Sequence, residues 1–131
     1  MKLSKLIFLL SVFILSSCQK QHSQSQNIVN ASTFQQKIET TENPQILDVR
    51  TPEEFNQEHI PNALNINWNG DNFEVEAEKL DKSKPVFVYC KSGGRSKKAS
   101  AKLTELGFEN VCELEGGFMQ WSSEGLKSNK N

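Results

Sequence analysis

The residues best suited to chemistry lie in one stretch, Tyr89-Cys90-Lys91-Ser92-Gly93-Gly94-Arg95-Ser96: a cysteine, a short polar run, two adjacent glycines and an arginine. The apolar run Val86-Phe87-Val88 precedes it and an alanine- and lysine-rich helical pattern follows, so the order is strand, tight loop, helix. A cysteine at the C-terminal edge of a buried strand, with glycines that let the backbone curl, can have several N–H groups aimed at its sulfur. Such a nest suits an anion. The helix expected to start near Ser96 adds the positive end of its dipole, and Arg95 adds a fixed charge. Cys90 is therefore expected to titrate below the free-thiol value of about 8.5. The thiolate is the nucleophile. Cys90 and Arg95 are thus the candidate catalytic pair, and Lys91, Ser92, Gly93, Gly94 and Ser96 the candidate anion-binding loop. The plainer alternative is an inert buried cysteine beside a turn. It leaves the basic, glycine-rich, helix-opening surroundings unexplained.

Two other side chains invite a chemical reading. His59 has no second potential ligand at metal-site spacing, so it is read as holding a turn by hydrogen bonds, and no metal is expected. Cys112 is read as a buried core thiol, the alternative being a redox partner for Cys90.

The elements that must position these residues follow in chain order. A short strand at 28–29 leads to Asn30, a cap for a helix whose Phe34 and Ile38 share one face. After the break at Asn43-Pro44, residues 45–50 read as a strand. Thr51-Pro52-Glu53-Glu54 opens a helix, with Thr51 as cap, Pro52 in the first turn and Glu54 completing a capping box. Residues 58–63 form a turn into a strand at 64–66, and 73–80 a helix with Phe73, Ala77 and Leu80 inward and acidic residues on its solvated face. The unbroken apolar run 86–90 suits a central strand covered on both sides. A helix over 96–106 sets Ala99, Leu103 and Leu106 on one stripe and stops at Gly107. A last strand at 110–114, a turn at Gly116-Gly117 and a short helix at 118–121 complete the domain, after which the Lys/Ser/Asn tail should fray. Strands alternating with helices predict an α/β fold, an open parallel sheet with helices on both faces. In such sheets ligands sit at the carboxyl ends of the strands, where the Cys90 loop lies.

At 131 residues and a net charge of -1, the chain fits one domain and lacks the basic excess that nucleic acid demands. Its densest apolar run is N-terminal: Lys2 and Lys5, then ten residues from Leu6 to Leu15, then Ser16-Ser17-Cys18. That is a secretory signal in outline, shorter than the roughly 20 residues of a spanning helix. Leu15-Ser16-Ser17-Cys18 resembles a bacterial lipobox, which implies a lipid on Cys18 and attachment to a membrane of the cell envelope, on a face turned away from the cytosol. The plain secreted protein is the alternative. The expected divisions are a leader over 1–17, the lipidated cysteine and a Gln/Ser-rich tether over 18–27, the domain over 28–126 and a disordered tail over 127–131.

With these residues assembled, the chain resembles the rhodanese-like domain, in the single-domain form used by sulfurtransferases, over about 28–126. Leu47-Asp48-Val49-Arg50 with Glu54-Phe55 resembles the family's first signature, and His59-Ile60-Pro61-Asn62-Ala63 its second. Cys90 to Ser96 is similar to its active loop, and Leu114-Glu115-Gly116-Gly117 with Trp121 to its C-terminal signature. The resemblance implies that Cys90 takes a sulfane sulfur from a small anionic donor such as thiosulfate, becomes a persulfide, and passes the sulfur to a thiol or cyanide. It implies no metal or organic cofactor and carries over Asp48 and Arg50 as supporting residues; His59 is expected to support the site through its turn, and the chain is expected to be a monomer. The spacing Cys-x4-Arg resembles the loop of sulfurtransferases, whereas related phosphatases carry one residue more. The second signature usually has glycine at the positions of Glu58 and Asn62. Two other readings stand beside it: a binding module that uses the fold without turnover, and a thiol redox sensor built on Cys90 and Cys112.

Overall fold

The computed structural model describes residues 27–130. The expected leader, Cys18, the tether through Gln26 and the last residue Asn131 lie outside them. The elements run β1 (Asn27–Val29), α1 (Ala31–Thr40), β2 (Gln45–Asp48), α2 (Pro52–Gln57), β3 (Glu58–His59), β4 (Leu64–Asn65), α3 (Phe73–Ala77), β5 (Val86–Tyr89), α4 (Gly94–Glu105), β6 (Val111–Leu114), α5 (Gly117–Ser123) and β7 (Asn129–Lys130).

Five strands form one sheet in the order β1-β6-β5-β2-β4, and every pairing in it is parallel. The expected α/β architecture is the one observed. All four residues of β5 are buried because the strand is central and roofed on both faces. Val86 and Val88 point with Cys90 into a core closed by Ala99 and Leu103 of α4 and by Phe73 and Ala77 of α3. Phe87 and Tyr89 point the other way, into a core closed by Phe34 of α1 and by Phe118 and Trp121 of α5. Phe34 meets Phe87 and Trp121 edge-on at 5.7 and 6.3 Å, each contact worth about 1 kcal/mol beyond burial.

The local stop and start signals act as expected. Asn30 Oδ1 accepts from Thr33 N at 2.8 Å, the Thr51–Glu54 capping box is closed in both directions, and Gly107 takes a φ of 96° at the end of α4. Four expectations are corrected. α4 begins at Gly94 rather than Ser96, because Gly93, at a φ of 115°, turns the chain directly into helix. α3 ends at Ala77 rather than Leu80, as the next turn tightens to Lys79 N on Glu76 O and Leu80 N on Ala77 O. The expected turn over 58–63 contains a short strand, β3. The tail expected to fray from 127 is held instead: β7 pairs antiparallel with β3, Trp121 Nε1 donates to Lys127 O at 3.1 Å, and Ser128 Oγ donates to Glu58. A buried indole N–H needs an acceptor, and the tail backbone supplies it.

Candidate active site

Cys90 follows the last residue of β5, at the carboxyl edge of the sheet, and is 1% exposed. Its strand is buried on both faces, so the sulfur sits on a rigid floor. The loop then rises and folds back into α4. Gly93 N donates to Cys90 Sγ at 3.0 Å, and the Ser96 hydroxyl lies 3.4 Å from the same sulfur. Burial by itself would push the Cys90 thiol up. The Ser96 hydroxyl and the backbone N–H groups of Ser96, Gly93 and Ser92 outweigh it, and the thiol is lowered. The loop is therefore a nest for negative sulfur, as its glycines suggested.

Arg95 is anchored on a carboxylate, not on the sulfur. In the first turn of α4 its guanidinium reaches across to α2, with Nη1 2.7 Å from Glu54 Oε2 and Nη2 3.0 Å from Glu54 Oε1. The Arg95 guanidinium gives its hydrogen bonds to a fork-to-fork carboxylate pair and acts on Cys90 through its field alone, while the N–H groups and Ser96 make the direct contacts to the sulfur. Glu54 also caps its own helix, accepting from Thr51 N at 3.0 Å. The Arg95 guanidinium holds the Glu54 carboxyl at about 2, with the Thr51 N–H assisting against partial burial. One carboxylate thus ties α2 to the active loop.

Asp48 and Arg50 form a second, deeper pair, 0% and 4% exposed. Arg50 Nη2 lies 2.7 Å from Asp48 Oδ2 and donates to Glu58 O at 2.6 Å, while the guanidinium rests 4.5 Å from the Phe118 ring centre. The carboxylate, a backbone carbonyl and an aromatic face partner the ion, which is the condition for keeping it buried. Tyr89 lies beside the pair; burial and then the Asp48 carboxylate push its phenol up, so it stays neutral and accepts from Ile60 N at 3.1 Å. His59 holds the turn as expected, Nδ1 2.9 Å from Phe55 O and its ring stacked on Phe55 at 3.9 Å. Asn62 takes a φ of 65°, whereas Glu58 is extended at −165° and needs no glycine.

A cleft of about 440 Å³ opens between these elements, lined among others by Arg50, Glu54, Glu58, Lys91, Phe118 and Met119. Its floor is braced by α5: Phe118 N donates to Cys90 O at 2.8 Å and Met119 N to Lys91 O at 3.0 Å. Gly117 makes that approach possible, since a Cβ there would stand 2.6 Å from the Cys90 and Lys91 carbonyl oxygens.

Cys112 faces the opposite core from Cys90. It lies in register with Phe87, and Cys90 is three residues farther along, about 10 Å at strand rise, beyond the roughly 7 Å a disulfide spans. Burial pushes the Cys112 thiol up to about 11. The redox pairing of Cys90 with Cys112 is thereby corrected; Cys112 is a core residue.

Sequence reasoning missed Glu54 as a partner of the loop and Glu113 altogether. The first was visible only as a cap. The second was signalled by a carboxylate in the otherwise apolar strand Val111-Cys112-Glu113-Leu114.

The family model for the Rhodanese-like domain matches residues 30–124. A sulfurtransferase of Allochromatium vinosum is 33% identical over 100 residues, covering 76% of this chain and 92% of that protein. The thiosulfate sulfurtransferase GlpE of Coxiella burnetii is 40% identical over 86 residues, 66% of this chain and 78% of that protein. Among solved structures, a rhodanese-related protein of Thermoplasma volcanium superposes with a TM-score of 0.70 at 30% identity, over 79% of this chain and 97% of that one.

Proposed function

This chain belongs to the rhodanese-like domain family and to its sulfurtransferase relatives, and on that premise we propose that it moves a sulfane sulfur through a persulfide on Cys90. The observation that carries the reading is the lowered thiol at the strand end, with Gly93 N at 3.0 Å from its sulfur. A donor such as thiosulfate supplies the sulfur. The Cys90 thiolate attacks its outer sulfur, the sulfur–sulfur bond of the donor breaks, and sulfite leaves with the electron pair. The persulfide anion then occupies the nest, where fixed N–H dipoles stabilise it without reorganising. A thiolate or cyanide attacks the outer sulfur and Cys90 leaves as thiolate.

Lys91, exposed at the cleft, attracts the anionic donor, while Arg95, Asp48 and Arg50 hold the loop and its floor. In this scheme the donor and acceptor are small molecules or small thiols, no metal or organic cofactor takes part, and the chain acts as a monomer. The lipid on Cys18 belongs to the same proposal: it tethers the domain to the cell envelope, and recovery of the protein with an unmodified N-terminus in the soluble fraction refutes that part.

The test is intact mass after incubation with thiosulfate. The wild type gains one sulfur atom, and Cys90→Ser gains none and transfers none to cyanide. Transfer surviving in Cys90→Ser rules the reading out, and so does a wild type that never gains the sulfur.

A further inference from the structure

Glu113 plays no part in that scheme, yet it is a carboxylate only 6% exposed. It lies in β6 between Val88 of β5 and Ile28 of β1, on the sheet face covered by α4. A charge buried there is costly unless it is paired or neutralised. Glu113 has hydroxyl partners instead of an ion pair. Ser96 Oγ donates to Oε1 at 2.9 Å and Ser100 Oγ to Oε2 at 3.4 Å. Lys97 of α4 acts on it through its field alone, and Cys112 next to it in β6 is the other titratable group that senses it.

Ser96 joins this carboxyl to the nucleophile. Its oxygen lies 2.9 Å from Glu113 Oε1, 3.2 Å from Gly93 O and 3.4 Å from Cys90 Sγ. A hydroxyl has one hydrogen to give and two lone pairs to receive. With that hydrogen on the nearest acceptor, Glu113, the Ser96 oxygen receives the Cys90 S–H. Reversing both bonds puts a protonated Glu113 on Ser96 and the Ser96 hydrogen on a Cys90 thiolate. Both arrangements satisfy every atom.

We propose that Glu113 takes the proton of Cys90 through the Ser96 hydroxyl, so that thiol and carboxyl share one negative charge. Burial raises the Glu113 carboxyl while the nest lowers the Cys90 thiol, which draws the two titrations together. Its use in turnover rests on the sulfur-transfer reading. When Cys90 attacks the donor, the S–H proton passes to Ser96 Oγ and the Ser96 proton to Glu113 Oε1. The products are a persulfide anion, a neutral Glu113 and sulfite. When an acceptor thiolate takes the outer sulfur, the bond to Sγ breaks with its pair on Sγ. Glu113 returns its proton through Ser96, leaving Cys90 as thiol and Glu113 as carboxylate. The gain is electrostatic: with Glu113 neutral, the buried site carries one negative charge as an anionic donor reacts rather than two. Glu113 acts through Ser96 and is a positioning residue for the proton.

The test has two readouts on the full chain. Iodoacetamide alkylation of Cys90, followed against pH by peptide mass, should rise in two steps in the wild type, as expected for coupled groups. In Glu113→Gln it should rise in one step at lower pH, because the repelling carboxylate is gone. In Ser96→Ala it should move to higher pH, because a donor to the thiolate is lost. Infrared difference spectra on loading with thiosulfate should show the carbonyl band of a protonated carboxyl, absent in Glu113→Gln. A single step in the wild type, together with persulfide formation and no such band, overturns the relay. A chain that never gains sulfur defeats the transfer reading instead, and the alkylation profile then decides the relay independently.

Discussion

Replacing Glu54 by Gln isolates the Glu54–Arg95 pair. Gln is acceptable at the third position of a capping box, so the start of α2 is kept while the charge facing Arg95 is removed. The carboxyl sits at about 2 against an ordinary 4.5, and at about 1.4 kcal/mol per pKa unit that is an upper bound of about 3.5 kcal/mol. Both side chains are about a quarter exposed, at 24% and 27%, and solvent screening lowers the figure to about 2 kcal/mol. For a domain of roughly 100 residues this corresponds to a drop in Tm of about 10 °C. Because the folded-state pKa is depressed, the stabilisation is fully present above the unfolded value near 4.5 and is lost as pH falls through about 2. The assay is thermal unfolding of the wild type and Glu54→Gln from pH 7 to pH 2. The gap in Tm should be constant down to about pH 5 and close toward pH 2. Arg95→Ala should cost about as much at pH 7, and the double variant little more than either alone. Arg95→Ala should also raise the alkylation midpoint of Cys90 by less than Ser96→Ala does, since Gly93 N and Ser96 touch the sulfur and Arg95 reaches it only through its field. A gap that persists unchanged at pH 2 would show that the pair does not stabilise the fold through charge. An Arg95→Ala midpoint displaced as far as that of Ser96→Ala would return the arginine to the sulfur.

Gly117→Ala should destabilise by about 3 kcal/mol and slow sulfur loading, since a Cβ 2.6 Å from the Cys90 and Lys91 carbonyls at a φ of 60° must push the active loop away; an unchanged urea midpoint refutes this. At pH 8 iodoacetamide should label Cys90 and spare Cys112, whose thiol is held near 11 by burial; peptide mass reads the sites, and equal labelling of both contradicts the two-core arrangement. Lys91→Ala should slow persulfide formation with thiosulfate several-fold at low salt and hardly at all in 0.5 M salt, where steering over a Debye length of roughly 8 Å or less is screened; a salt-independent defect would place the lysine in direct contact instead.

The parts of the molecule legible in the chain are those whose cause is local. Asn30 and Thr51 cap helices because a short polar side chain reaches forward to accept from the N–H three residues on. Val86 to Tyr89 reads as a central strand because four apolar residues without alternation need cover on both faces. The nest around Cys90 is local as well, since Gly93 and Ser96 lie three and six residues from the sulfur they bind. Family, fold class and the candidate nucleophile therefore followed from short segments in order.

What only the tertiary structure decided is which polar groups meet. Glu54 and Arg95 are 41 residues apart, Ser96 and Glu113 are 17, and Ser128 and Glu58 are 70. With 15 basic and 16 acidic residues, the composition permits hundreds of pairings. Parallel strands leave their partners far apart in sequence, and the register of β5 against β6 is what sets Glu113 beside Val88 under the first turn of α4. The same register puts Cys112 on the other face, away from Cys90. A cap or a turn is chosen by neighbours along the chain. A buried charge takes its partner from whatever the packed sheet brings within 3 Å, and local sequence holds no record of that distance.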